Sequence, residues 1–98
     1  MLTGKQRSYL KGLANNEKAI TQVGKAGITE SFLEQLDLAL EARELVKVTI
    51  LENSLLEAKE TANEVAEMLN AEFVQAIGSK FTLYRQSSKN PKIQLPKS

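Results

Sequence analysis

Apolar residues recur along this chain with two different periods, and the changes of period mark its elements. Leu10, Leu13 and Ala14 fall at helical spacing behind Thr3-Gly4-Lys5-Gln6. That tetrad is a capping box, in which the Thr hydroxyl and the Gln side chain satisfy free amides at a helix start. The pattern predicts a first helix running to about Ala14, closed by an Asn15-Asn16 turn. Residues 19–23 form a short strand candidate. Thr29 is a good N-cap for a second helix, with Ile28 and Leu33 placed as a hydrophobic staple. Phe32, Leu33, Leu36, Ala39 and Leu40 then follow helical spacing, while Glu30, Glu34, Asp37 and Glu41 face water, so this helix should end near Ala42 or Arg43.

Residues 45–51 make the clearest strand. They are rich in β-branched side chains and almost continuously apolar, as a central strand would be. Ser54-Leu55-Leu56-Glu57 reads as a second capping box. Ala58, Ala62, Val65, Ala66 and Leu69 give a third helix its apolar stripe, and Asn70 suits a left-handed C-terminal position. Residues 73–77 and 81–85 are two short strands joined by Gly78-Ser79, the signal for a type II′ hairpin. The order is α-β-α-β-α-β-β. Right-handed strand–helix–strand crossovers imply parallel neighbours and the final hairpin an antiparallel pair, so an α/β fold with a mixed sheet is expected. Residues 1–86 read as one domain. Residues 87–98 read as a basic, Pro-containing tail that is loosely ordered, with Ile93 and Leu95 available for docking.

Composition narrows the function. The chain has 98 residues, 42% of them apolar, which suits one domain with a single unstapled core. It has no Cys and no His, so disulfides, thiol nucleophiles, Cys- or His-based metal sites and the Ser-His-Asp triad are excluded. Glu57, Glu60, Glu64 and Glu67 lie along the polar side of the third helix and offer no acid/base pair with reason for a raised pKa. No catalytic residue, cofactor or metal is expected. No apolar run approaches a membrane span, and residues 1–10 lack the apolar core of a secretory signal, so a cytoplasmic protein is expected.

The net charge of +1 conceals an arrangement. Residues 1–29 carry five cations and one acid, residues 30–72 three cations and eleven acids, and residues 73–98 five cations and no acid. Basic ends that meet in space would form a polyanion-binding face. Arg7 and Lys11 share one side of the first helix, and Lys5 stands on the same helix. Gly24-Lys25-Ala26-Gly27 sits between a strand and a helix start, where glycines permit close approach and free amides attract phosphate. It lacks the spacing of a Walker loop or a dinucleotide fingerprint. Lys80 and Arg85 add cations on the last hairpin. Tyr84 reads as a core-edge residue, and Tyr9 is free either to pack or to stack on a base.

Four stretches occur in order: Leu10-Lys11-Gly12-Leu13-Ala14, Val23-Gly24-Lys25-Ala26-Gly27-Ile28-Thr29, Glu44-Leu45-Val46-Lys47-Val48, and Ile77-Gly78 followed by Leu83-Tyr84-Arg85. Together they resemble the CRM domain (chloroplast RNA splicing and ribosome maturation) in its stand-alone bacterial, YhbY-like form. The resemblance implies an RNA-binding module whose four-stranded mixed sheet is similar to the C-terminal domain of translation initiation factor three. It likens the GxxG turn to the backbone-clamping loop of KH domains. It implies association with large-subunit ribosomal precursors, hence ribosomal RNA as partner. Ribosomal proteins are candidate further contacts, and a monomer is expected. The RNA-binding candidates are then Gly24, Lys25, Ala26, Gly27, Lys5, Arg7, Lys11, Lys80 and Arg85. Ala26 stands where many members carry a polar residue. The alternative is a protein-interaction adaptor that uses the acidic faces of helices 2 and 3.

Overall fold

A computed structural model describes residues 2–52 and 54–97. The elements follow in the expected order: α1 (Gly4–Ala14), β1 (Ala19–Val23), α2 (Glu30–Arg43), β2 (Leu45–Ile50), α3 (Ala58–Met68), β3 (Glu72–Ile77) and β4 (Lys80–Tyr84). End chemistry explains most boundaries. Thr3 Oγ1 accepts from the Gln6 N–H, and Gln6 Oε1 accepts from the Thr3 N–H, both at 3.1 Å. Thr29 Oγ1 accepts from the Phe32 N–H at 3.0 Å. At the end of α3, Asn70 takes a φ of 55°, and the Ala71 N–H donates to the Ala66 carbonyl at 2.8 Å, which is a Schellman closure. In the last hairpin Gly78 has a φ of 60°, as the first central residue of a type II′ turn requires.

One boundary differs from the sequence expectation. Ser54 does not cap α3, which begins at Ala58 behind Glu57 with no side-chain cap. The Ser54 N–H instead donates to the Leu51 carbonyl at 2.9 Å, making a turn just beyond β2. The Ser54 hydroxyl accepts from the Leu56 N–H, two residues on, at 3.4 Å, and not from the third residue as a capping box requires.

The sheet runs β1-β2-β4-β3. β1 and β2 are parallel, and β4 is antiparallel to both of its neighbours. The α3 crossover leaves one strand position empty, and β4 folds back to fill it. Residues of β2 alternate between faces. Val46, Val48 and Ile50 join Phe32, Leu36 and Leu40 of α2, Ala62 and Val65 of α3, and Phe81 and Leu83 in the main core. The other face is only partly covered: Leu10 and Ala14 of α1 pack with Leu2, Leu45, Val74 and Tyr84, and Ile93 and Leu95 close the margin of this second core. Full burial of Leu10 contributes about 2 kcal/mol to holding α1 down.

Residues 87–97, read from composition as loosely ordered, make specific contacts with the end of α2. Glu44, the residue between α2 and β2, has a φ of 67° and is fully buried. Its carboxylate accepts from the Ser87 N–H at 2.8 Å and from the N–H groups of Lys92 and Ile93 at 2.7 Å each. One turn earlier, Glu41 Oε2 accepts from Ser87 Oγ at 2.7 Å and the Ser88 N–H at 2.9 Å. Gln6 Nε2 donates to the Pro96 carbonyl at 3.1 Å, fastening the tail to α1. Burial pushes the Glu44 carboxyl up, but the three amides and the Lys92 charge outweigh it and leave it below the ordinary value of 4.5. The Ser87 hydroxyl, against some desolvation, likewise lowers Glu41. Burial and then the Glu44 charge raise the Tyr84 phenol.

Glu44→Ala would leave three amides without their acceptor. It is expected to destabilise the fold by about 3 kcal/mol, with Glu44→Gln intermediate, read as lowered midpoints in urea unfolding. Both carboxyls titrate lower in the folded state than in the unfolded one, so their contribution is complete above about pH 4.5 and is lost as pH falls through the folded values. Urea midpoints measured between pH 7 and pH 3 should therefore fall on the acid side, and Glu44→Gln should flatten that fall.

Candidate nucleic-acid interface

α1 crosses only part of its sheet face. In rows across β2, β4 and β3, Leu45 and Tyr84 lie beneath the helix, then come Lys47, Thr82 and Gln75, then Thr49, Lys80 and Ile77. The middle row meets the end of α1 at Asn15, and the last row, with Lys80 and Ile77 exposed, has no helix over it. A bulge in β3 between Phe73 and Gln75 shifts the register. As a result Val74 and Gln75 both turn to this side: Val74 goes under α1 and Gln75 into the open part. Bulges re-aim side chains in this way and recur beside functional sites.

The structure sorts the sequence candidates into separate places. Arg7 and Lys11 converge with Lys59 of α3 on the β3 segment 73–77, lining a groove of about 470 Å3 that wraps the free edge of the sheet. Arg7 Nε donates to the Phe73 carbonyl at 3.3 Å, which holds the guanidinium against that edge. No carboxylate lines this groove among the described residues. Lys80 lies on the open sheet beside Lys47, in a smaller cavity of about 130 Å3 that shares Gln75 and Ile77 with the groove. Lys47 stands in the sequence only as part of a strand stretch, and nothing in the sequence marks Lys59 for this face. Lys59 sits on an acidic helix, and only the edge position of β3 brings it round to α1. Lys5 is exposed, two residues and hence roughly 200° round the helix from Arg7, and it lines neither cavity.

The Gly24-Lys25-Ala26-Gly27 turn lies at the far edge strand. The Gly27 N–H donates to the Gly24 carbonyl at 3.0 Å, and Gly27 takes a φ of 75°, a conformation that a side chain disfavours. Lys25 and Ala26 are exposed at its tip. The sheet order separates this turn from β3 by three strand spacings, about 14 Å, so Lys25 does not share a groove with Arg7 and Lys11. The start of α2 contributes less anion attraction than its place after the turn suggests. Thr29 already occupies the Phe32 amide, and Glu30 puts a carboxylate into the first turn.

Arg85 is committed elsewhere. Its Nη1 donates to Asp37 Oδ1 at 2.7 Å and to the Leu69 carbonyl at 2.9 Å, and its Nη2 donates to the Asp37 carbonyl at 2.9 Å. This cation ties the end of β4 to α2 and α3, which explains its position directly after the strand. Tyr84 is buried in the second core, whereas Tyr9 stands exposed on α1. Among the described residues, no three acids come together in a metal-binding cluster, and no helix is long and apolar enough to cross a membrane.

Comparison with known proteins gives the family of this fold. A sequence model of the CRS1/YhbY (CRM) domain matches residues 2–85. A Bacillus subtilis protein named "Probable RNA-binding protein YqeI" is 43% identical over 98% of this chain and 100% of its own length. A Haemophilus influenzae protein named "RNA-binding protein" is 35% identical over 98% of this chain and 96% of its own. The solution structure of SAV1595 from Staphylococcus aureus superposes with a TM-score of 0.82 at 48% identity, covering 98% of this chain and 100% of that one. The family and these relatives are named for RNA binding or for the domain itself, not for a catalysed reaction. Since the domain match spans nearly the whole fold and the relatives align almost end to end, the chain belongs to the CRS1/YhbY (CRM) domain family.

Proposed function

We propose that this protein is a non-catalytic, cytoplasmic RNA-binding protein that acts as a monomer on ribosomal RNA in large-subunit precursors. The observation that carries RNA binding is the acid-free groove in which Arg7, Lys11 and Lys59 meet along the free edge of β3. Cations grouped without carboxylates attract a phosphate backbone, and releasing its counterions supplies affinity with little sequence preference. The relatives named for RNA binding support the same reading. The ribosomal assignment rests on the resemblance to stand-alone bacterial members of the family.

The mechanism divides the backbone between two grips. Arg7 and Lys11, presented by a helix clamped to the sheet, take phosphates at one margin. Lys25, exposed at the tip of the glycine turn, takes a phosphate at the other. The acids of α3 that point away from the sheet keep RNA off the helical side. An adaptor acting through α2 is disfavoured by a specific observation. Asp37 and Glu41 of its acidic face, with Glu44 just beyond, already bind Arg85 and the tail within the chain.

Lys11→Glu combined with Lys25→Glu is expected to remove most affinity for single-stranded RNA, at least ten-fold, in fluorescence anisotropy. Wild-type affinity should fall steeply with salt, and a flat dependence would dismiss the phosphate grip. Arg85→Ala should behave in the opposite sense, lowering the urea midpoint while leaving the affinity of the folded protein within about two-fold. In lysate, the tagged protein should sediment with large-subunit precursors and lose that position on ribonuclease treatment. Migration only at the top of the gradient, with or without ribonuclease, would remove the ribosomal assignment and leave RNA binding to be judged on purified RNA.

A further inference from the structure

Phosphate gripping leaves one feature of the open sheet unexplained. The 130 Å3 cavity is bounded by Asn15 at the end of α1, Lys47 of β2, Gln75 and Ile77 of β3, and Lys80 and Thr82 of β4. Thr82 forms its floor and is only 1% exposed, while Ile77 stands 66% exposed at its rim. The side chains of Asn15, Lys47, Gln75 and Lys80 make no hydrogen bond or ion pair among the described residues, where the ion pair present is Arg85 with Asp37. Two amide-bearing and two lysine side chains thus line one small space without a partner among the described residues.

We propose that this cavity receives a single unpaired base of single-stranded RNA, read at its edge by the amides of Asn15 and Gln75, with Lys47 and Lys80 on the adjoining phosphates. The inference rests on the RNA-binding reading and adds the form of RNA and the contact that discriminates. Four observations carry it. The volume suits one heterocyclic ring system and not a stretch of backbone. A carboxamide offers a donor and an acceptor side by side, the pairing that base edges present. The cavity shares Gln75 and Ile77 with the basic groove, so a strand leaving Arg7 and Lys11 along β3 arrives here. The bulge in β3 is what delivers Gln75 to this face. A duplex would not fit, because paired bases keep their edges engaged and RNA sequence is read chiefly on unstacked ones. Among the described residues no aromatic side chain lines the cavity, so recognition comes from the base edge, with Ile77 and the lysine stems covering its faces.

The test uses the full chain and labelled oligoadenylate, oligouridylate and oligocytidylate of equal length, with a duplex of that length, in anisotropy titrations at several salt concentrations. Wild type should bind single strands more tightly than duplex and rank the three homopolymers. Asn15→Ala with Gln75→Leu should compress that ranking by about ten-fold, the discrimination of one good amide–base contact, with the salt slope unchanged because no charge is lost. Lys47→Met with Lys80→Met should weaken all three alike and reduce the slope of log affinity against log salt by about 1.4. Thermal melting checks that each variant folds. Photocrosslinking wild type to a 4-thiouridine oligonucleotide needs no variant and should mark peptides of β2, β3 and β4. Crosslinks confined to α1 and the 24–27 turn, a wild type that does not rank the homopolymers, or an unchanged ranking in the folded amide variant would each overturn the base site while leaving RNA binding intact. Absence of saturable binding to any of these RNAs at low salt would instead overturn the RNA-binding reading, and the base site with it.

Discussion

Burying a carboxylate is costly unless hydrogen-bond donors replace its hydration, and at Glu44 the main chain supplies them. The amides of residues 87, 92 and 93 converge on one side chain at the α2–β2 junction, where the backbone has already turned to positive φ. The exchange runs both ways: the carboxylate loses water, and a Pro-interrupted segment with no ladder partner gains acceptors for its N–H groups. That segment then brings Ile93 and Leu95 against the second core, and Pro96 against Gln6 of α1. The seat of α1 therefore depends on a residue two elements away in sequence.

The way α1 is seated decides what the molecule can offer a ligand. The helical pair α2 and α3 covers one face of the sheet with a continuous apolar core. On the other face α1 is short and buries only Leu10 and Ala14 fully. It covers the end of the sheet near Leu45 and Tyr84 and stops. Beyond it the face carries Lys47, Thr49, Gln75 and Lys80, with Ile77 exposed at the rim. A strand edge with free backbone groups is ordinarily an aggregation hazard. Here Arg7 bonds to it, and Lys11 and Lys59 flank it with the kind of charge that blunts an edge.

Charge is used in two distinct ways. Arg85, Asp37, Glu41 and Glu44 spend their bonding capacity inside the fold and hold α2, α3, β4 and the tail in register. Arg7, Lys11 and Lys59 gather around β3, with Lys47 and Lys80 on the adjoining sheet, and no acid lines either cavity among the described residues. Acids of α2 are thus partly neutralised by the chain itself, and the field felt by a polyanion differs from what the sequence totals suggest. The cations left for a polyanion are those without an internal carboxylate partner.

Periodicity, caps and turn residues determined the elements and their order, because those signals act between residues a few positions apart. Thr3 with Gln6, Thr29, Asn70 and Gly78 all do in the structure what their local chemistry dictates. The Ser54 box is the exception, since Ser54 closes a turn on Leu51 and its hydroxyl takes the Leu56 amide without starting a helix. The glycine turn was legible for the same local reason, and the cations of α1 were legible as a pair. What the tertiary structure alone decided is which side chains share a space. The insertion of β4 between β2 and β3 sets Lys47 beside Lys80, and the bulge in β3 brings in Gln75. Lys59 faces α1 only because β3 is an edge. Arg85 found Asp37 across 48 residues, and Ser87 found Glu44 across 43. Such pairings depend on sheet order and register, which are set by burying two faces at once and leave no mark on the spacing of neighbours along the chain.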